Sequence, residues 1–135
     1  MLFMTWNDKL SVGVKQVDDD HRKLLAMANN LYEAIEAGRG KQDLEKTLDD
    51  LLDYTTFHFA REEELFFRTG YPGAVRHKKE HDNMIKQVLQ IQARYRVGSQ
   101  PLTLEVMVFL KDWLFDHILV SDALYGPHLN ASGIR

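Results

Sequence analysis

The chain has 135 residues, of which 44% are hydrophobic and 27% are charged, and its formal net charge is −3 at pH 7. This composition is typical of one globular domain and gives no reason to expect nucleic acid or an anionic membrane surface as a partner. There is no cysteine, which excludes disulfides, thiolate zinc sites and iron–sulfur clusters. No signal-peptide pattern or transmembrane-length apolar run is present, so a cytoplasmic domain without membrane insertion is the expectation.

The first third of the chain predicts an arm followed by a helix. Residues 1–17 show no clear hydrophobic period, which indicates an extended arm that packs over the domain. An acidic run, Asp18 to Asp20, then suits the N-terminus of a helix. Apolar residues recur at three- and four-residue steps from about 19 to 37, where Gly38 and Gly40 end the helical pattern.

Three more amphipathic segments follow, and together with the first they predict the fold. They cover residues of about 43–67, 73–96 and 101–124. Gly126 and Pro127 are predicted to end the last helix and to leave a short C-terminal tail, in which His128 is a surface residue. Four helices with short connections predict a single all-α domain over residues 1–135, an antiparallel up-down-up-down four-helix bundle.

Residues that can bind metals lie on the inner faces of these predicted helices. His58 and Glu62 are four residues apart, as are His77 and His81, so each pair presents its side chains on one face of a helix. Helix 1 adds His21 near its start, and helix 4 adds two ligand candidates near its end, His117 and Asp122. In an antiparallel bundle all these positions fall in one layer.

Each piece of this pattern has an ordinary explanation when taken alone. A pair spaced by four residues is more often solvated than metal-bound, and a single inner-face histidine is more often a hydrogen-bonded core residue. Their joint placement favours a metal site, because no Lys or Arg is predicted at that level to neutralise the buried Glu62. Seven side chains exceed the four ligands of a zinc ion but suit two bridged six-coordinate ions with one open position for a small ligand such as dioxygen.

The pattern H…HxxxE…HxxxH…HxxxxD resembles the hemerythrin family, specifically the single-domain bacteriohemerythrins. Shorter stretches, including WLxxHI from Trp113 and YGPxL from Tyr125, resemble the bacterial members as well. The resemblance implies two iron ions (Fe2+/Fe3+) with a bridging oxo or hydroxo group. By that resemblance one iron is bound by His77, His81 and His117, the other by His21 and His58, and the two are bridged by Glu62 and Asp122.

The same resemblance implies reversible dioxygen binding at the two-histidine iron, for oxygen transport, storage or delivery. Three apolar residues, Leu24, Phe59 and Leu114, would form a dry oxygen pocket, although ordinary core packing also explains them. The expected partners are dioxygen and an oxygen-consuming recipient protein. The oligomeric state is left open by the sequence.

Two other functions stay open at this point. One is a di-iron oxidase or peroxide-handling enzyme, which ranks lower because such ferritin-like sites use Glu-x-x-His pairs and the chain contains none. The other is a sensor of oxygen, nitric oxide or iron, which ranks lower because the domain uses all 135 residues. The expectation is therefore a protein that is not an enzyme.

One spacing conflicts with regular helical geometry. His117 and Asp122 are five residues apart, which corresponds to about 140° around an α-helix of roughly 3.6 residues per turn. They would therefore not share a face. The spacing predicts a π-bulge or a loosened last turn between Ile118 and Asp122.

Overall fold

The computed structural model describes residues 3–135, and within that range every regular element is helical. The first three long helices are α1 (Lys15–Glu36), α2 (Lys41–Thr69) and α3 (Ala74–Arg96). The fourth is built from three consecutive parts, which are α4 (Leu104–Asp116), a π segment (His117–Asp122) and α5 (Ala123–Ala131). The predicted four-helix bundle is confirmed.

The helices bury the apolar stripes that the sequence pattern indicated. Leu31 of α1, Leu48 of α2 and Met107 of α4 are at most 1% exposed and belong to one cluster along the bundle axis. Gly70 ends α2 in a left-handed conformation with φ of 64°, which glycine adopts without a side-chain clash, and the chain turns directly into α3. No helix in residues 3–135 is both long and apolar enough to cross a membrane.

The N-terminal arm is shorter than predicted, because α1 begins at Lys15 rather than near residue 19. Asp18 therefore lies inside the first turn of α1 and does not precede the helix. Its carboxylate accepts hydrogen bonds from the Ser11 hydroxyl (2.5 Å) and the Val12 amide (2.9 Å), so it fixes the arm. The arm contains a short 3-10 helix at Asp8–Leu10. Residues 1 and 2, which the prediction included in the arm, lie outside the described range.

A second contact fixes the arm nearer its start. The Met4 amide donates to Asn29 Oδ1 (2.7 Å), and Asn29 Nδ2 donates to the Met4 carbonyl (2.8 Å). Both residues are buried, so the pair satisfies polar groups that would otherwise be costly in the core. The arm is thereby fixed against α1, and Met4 packs with Leu25 of α1 and Ile118 of the π segment.

The prediction that Gly126 and Pro127 end the fourth helix is wrong. The helix continues to Ala131 because Tyr125 and Leu129, both 0% exposed, are buried on its inner side. This packing outweighs the cost of the backbone hydrogen bond that Pro127 cannot donate. His128 is only partly exposed, and its Nε2 lies 3.0 Å from the Thr69 carbonyl. Both ends of α2, the start of α3 and the start of α4 also differ from the predicted ones, by one to three residues.

Gly126 is required by a close approach between the arm and α5. A Cβ atom at this position would lie 2.2 Å from the Val12 carbonyl oxygen, which is a backbone atom that a rotamer change cannot move. We expect Gly126→Ala to lower the free energy of unfolding by about 1–3 kcal/mol, measured by denaturant unfolding. Gly40→Ala is the matched control, because a Cβ there meets nothing within 4 Å. Equal losses of unfolding free energy in Gly126→Ala and Gly40→Ala would contradict a steric requirement for Gly126.

Candidate metal centre

The four long helices bring all seven predicted ligand side chains into one layer of the bundle. Each is buried, with relative exposures between 0% and 5%. The layer draws on the start of α1, the end of α2, the start of α3 and the π segment: His21, His58, Glu62, His77, His81, His117 and Asp122. Antiparallel packing places these helix ends at the same level, as the sequence reasoning expected.

Asp122 faces histidines on two sides through its two different oxygens. Its Oδ2 lies 3.1 Å from His21 Nε2. Its Oδ1 lies 2.9 Å from His77 Nε2 and 3.0 Å from His117 Nε2. A carboxylate with one oxygen turned to each set of imidazoles is arranged to bridge two ions.

Glu62 lies between the same two sets of side chains. Its Oε1 is 3.0 Å from His58 Nε2 and 3.4 Å from His81 Nε2. Donor atoms of five residues, including both carboxylates, come within 4.8 Å of one another, and so do those of a second set formed by Glu62, His21 and His58. Two overlapping donor sets that share a carboxylate indicate two metal positions.

The hydrogen bonding of these atoms provides a test of whether metal ions fit. Within residues 3–135, several fully buried ligand atoms have no hydrogen-bond partner of acceptable geometry, namely the Nε2 atoms of His21, His58 and His77, Glu62 Oε1 and both Asp122 oxygens. Buried polar atoms without partners are costly and uncommon in native proteins. Metal ions would accept the imidazole lone pairs and neutralise both carboxylates, so the residues present fit them.

The His117–Asp122 contact depends on the π segment. This segment spans His117–Asp122, so that residues five apart along the chain lie above one another and both side chains face the site. The predicted π-bulge is confirmed. Without it, a regular helix would turn Asp122 about 140° away from His117 at roughly 3.6 residues per turn.

Three of the five histidines donate their outer ring nitrogen to a carboxylate. His58 Nδ1 lies 3.0 Å from Asp20, His81 Nδ1 lies 2.8 Å from Glu63, and His117 Nδ1 lies 3.1 Å from Glu80. The Ser121 hydroxyl also donates to Glu80 (2.6 Å). These bonds fix the ring tautomer so that Nε2 faces the site, and they make the imidazole a stronger metal donor. No sequence spacing singled out these three acidic residues.

Buried charges determine the proton affinities of the metal-free centre. Burial alone would lower the pKa of His58, but the charge of Glu62 and the hydrogen bond to Asp20 raise it to about 10. Burial would raise the pKa of Asp20, yet its hydrogen bond and attraction to His58 hold it below the usual value. The metal-free centre therefore carries a proton on His58 that compensates the carboxylate charge.

Metal binding at this centre should release protons. An ion takes the lone pair of a neutral imidazole, whereas His58 with a pKa of about 10 stays protonated at neutral pH without metal. Ferrous iron affinity should therefore rise with pH, by up to about tenfold per pH unit for each proton displaced. Anaerobic iron binding in weakly buffered solution would show this as acidification. Binding without proton release would contradict it.

Comparisons with known proteins agree with this arrangement. The family model for the hemerythrin HHE cation binding domain matches residues 12–129. The chain belongs to the hemerythrin family. It is 34% identical to a bacteriohemerythrin of Stenotrophomonas maltophilia, over 97% of this chain and 84% of the relative. It is 33% identical to a bacteriohemerythrin of Methylococcus capsulatus, over 97% of this chain and all of the relative.

Solved hemerythrin structures have the same fold as this chain. A wild-type hemerythrin superposes with a TM-score of 0.90 at 33% identity, covering 94% of this chain and 98% of the other. A hemerythrin mutant superposes with a TM-score of 0.92 at 32% identity, covering 96% of this chain and 98% of the other. The resemblance stated from the sequence motifs is confirmed. Hemerythrins hold a di-iron centre, and the donor set here suits two such ions.

This hemerythrin centre includes a tyrosine that the sequence reasoning did not select. The Tyr125 hydroxyl donates a hydrogen bond to Glu62 Oε2, on the side away from His58. Burial, together with the charges of Asp122 and Glu62, raises the pKa of Tyr125 well above its ordinary value, so the phenol stays protonated as a donor. The tyrosine thus holds one oxygen of Glu62 while the other faces the histidines.

Loss of the Tyr125 hydroxyl should destabilise the metal-free hemerythrin. In Tyr125→Phe the buried Glu62 loses a charge-assisted hydrogen bond, so the free energy of unfolding should fall by about 1.5–3 kcal/mol. The ring itself stays packed against Phe66, whose centroid is 5.0 Å away. Tyr95→Phe is the matched control, because that hydroxyl lies 3.4 Å from the Lys41 carbonyl, far from the centre. Denaturant unfolding of both variants without metal provides the comparison.

A small apolar cavity of about 40 Å³ is lined in part by two rings that stack on histidines of the centre, Phe59 on His81 and Trp113 on His117. The three residues predicted as an oxygen pocket all line it: Leu24, Phe59 and Leu114. Met4 of the arm and Trp113 of α4 also contribute to its wall. Among the described lining residues there is no ionisable side chain, so the cavity suits a small apolar molecule.

Proposed function

We propose that this chain binds dioxygen reversibly at a non-haem di-iron centre and so serves oxygen transport, storage or delivery. One observation carries the proposal: two buried donor sets, linked by Glu62 and by the contact of Asp122 with His21, lie near an apolar cavity of about 40 Å³ whose wall includes Phe59, the ring that stacks on His81. The bacteriohemerythrin relatives share the fold and about a third of the residues. The proposed centre thus combines a metal pair with an apolar space next to it.

In this proposal the side chains divide between the two irons. His77, His81 and His117 would hold one iron, and His21 and His58 would hold the other. Glu62 and Asp122 would serve both positions. When bound, the iron pair would supply the electrons and the open position that reversible dioxygen binding needs. The two-histidine position has fewer protein donors and would leave room for the small ligand.

The apolar cavity favours a carrier over an enzyme. Leu24, Phe59 and Leu114 exclude water from the side of the centre that dioxygen would approach. The described wall of the cavity includes one hydroxyl, that of Thr55, which donates to the Leu51 carbonyl at 2.7 Å. No ionisable group on the described wall can deliver a proton to bound oxygen, which protects the reversible state. An oxidase would need such a proton source.

The proposal is tested by loading the protein anaerobically with ferrous iron and then cycling oxygen in and out while recording the optical spectrum. A new absorption band that appears with oxygen and disappears on its removal, over repeated cycles, is the expected result. Irreversible bleaching on first exposure, or consumption of an added reductant during turnover, would overturn it in favour of an enzyme. Asp122→Ala loaded in the same way is the control that lacks a bridge.

A further inference from the structure

We infer that the two metal positions fill in a fixed order. The position formed by His77, His81 and His117, here called the three-histidine position, binds iron first. The position formed by His21 and His58, the two-histidine position, binds iron last and loses it first. This inference rests on the proposed function, because it takes these side chains to hold an iron pair.

The number of donors differs between the two positions. Five residues place donor atoms within 4.8 Å of one another around the three-histidine position, and only three do so around the two-histidine position. Asp122 Oδ2 adds a contact of 3.1 Å to His21 on that second side. With more protein donors already converged, the three-histidine position loses less freedom when an ion enters, so it should bind more tightly.

The support behind the imidazoles differs in the same direction. At the three-histidine position, His81 and His117 each donate to a carboxylate, Glu63 and Glu80. At the two-histidine position only His58 does so, to Asp20. The Nδ1 atom of His21 is buried without a hydrogen-bond partner in the described part of the chain. A metal-bound histidine normally donates this proton, so His21 lacks the support that His58, His81 and His117 have.

Aromatic stacking holds the rings of the three-histidine position in place. His81 lies flat on Phe59, with centroids 3.8 Å apart and planes 4° apart. His117 lies on Trp113 at 4.5 Å and 14°. At the two-histidine position, the ring planes of His21 and His58 meet edge to face at an angle of 73°. Within residues 3–135, no aromatic ring stacks face to face on either of them. The three-histidine position is therefore the more preorganised one.

An ordered filling has a functional consequence. A chain with one ion lacks the iron that carries the vacant position, so it is folded and metal-bound yet unable to bind oxygen. The affinity of the two-histidine position then determines the iron concentration at which oxygen binding begins. The same protein would change from inactive to active around the iron concentration that equals the dissociation constant of the two-histidine position.

Native mass spectrometry tests the order by counting ions on each chain as ferrous iron is added anaerobically to metal-free protein. The expected result at one equivalent is a majority of singly loaded chains, with the two dissociation constants at least about tenfold apart. Tryptophan fluorescence identifies the occupied position, because Trp113 stacks on His117. Most of its change should come with the first equivalent and should be absent in Trp113→Phe.

Isosteric variants separate the two positions. Asp20→Asn should weaken binding of the second ion by about 10–100-fold and leave the first unchanged, because its partner is His58. Glu80→Gln should weaken the first ion instead, through His117. Two controls are Asp19→Asn, at the half-exposed position next to Asp20, and Glu64→Gln, at an exposed position of α2, and both should leave the two constants unchanged. Circular dichroism of each variant verifies that the bundle is folded.

Several outcomes would overturn the order. They are a mixture of empty and doubly loaded chains at one equivalent, equal constants for both ions, and a Trp113 response that follows the second ion. An effect of Asp20→Asn on the first ion alone would overturn it as well. If oxygen binding stays reversible in any of these cases, the proposed function survives. Failure of the wild-type chain to take up iron at all would overturn both.

Discussion

Asp122→Ala is expected to reduce bound iron from two ions per chain to fewer than one. Asp122 is 0% exposed and faces three histidines, His21 on one side and His77 and His117 on the other. Its loss removes a donor from each position and the negative charge that holds two cations close together. Because ligands that bind only the folded state stabilise it, iron should raise the melting temperature of the wild type and hardly change that of the variant.

Asp116→Ala is the matched control for this experiment. Asp116 is an exposed carboxylate at the end of α4, one residue before His117. Iron content by elemental analysis and melting temperature with and without iron should both match the wild type in this control. Two ions retained by Asp122→Ala, with an undiminished rise in melting temperature, would show that Asp122 is not a bridge.

A single alanine inserted between Leu119 and Val120 should abolish iron binding and loosen α5. The insertion makes His117 and Asp122 six residues apart, which corresponds to about 240° in an α-helix of roughly 3.6 residues per turn. A π-type turn aligns residues five apart, so it does not bring them together either. Tyr125 and Leu129, both 0% exposed, would rotate out of the core, and losses of this kind cost about 2–5 kcal/mol per large side chain.

Deletion of Val120 is the informative partner of this insertion. Val120 is 64% exposed, and its removal makes the His117–Asp122 spacing four residues, which a regular α-helix places on one face. The deletion variant should therefore keep the packing of α5 and retain at least partial iron binding. Denaturant unfolding and iron content of the two variants give the comparison. Equal losses of iron content and of unfolding free energy in the insertion and deletion variants would show that the segment tolerates no change of length.

The convergence of these seven side chains was predictable because histidines and carboxylates that face one point follow a pattern along the chain. Histidine and carboxylate pairs four residues apart must face one point from a helix, and the antiparallel topology then places His21 and His117 at the same level. Even the irregular segment followed from one conflict, since His117 and Asp122 could not share the face of a regular helix. Helix geometry thus constrained both the fold and these residues.

Other features escaped prediction because they depend on contacts distant in sequence. Asp20, Glu63 and Glu80 resemble ordinary surface acids until the helices pack and bring them to the outer side of a histidine ring. Tyr125 was read as part of a motif, yet its contact with Glu62 joins residues 63 positions apart. Gly126 resembled a helix terminator, whereas its actual role is to let the Val12 backbone pass. Local propensity carries no information about such contacts.

The contact of the arm with α5 also bears on how the protein matures in a cell. Asn130 Nδ2 donates to the Gly13 carbonyl at 3.0 Å, across 117 positions of the chain, beside the Gly126–Val12 approach. A ribosome releases the N-terminal half first, so His21, His58 and Glu62 emerge long before Asp122 does. The last helix must then dock before the centre is closed. We therefore expect newly made chains to capture iron only after the last helix has emerged and docked, so that iron loading follows the folding of that helix.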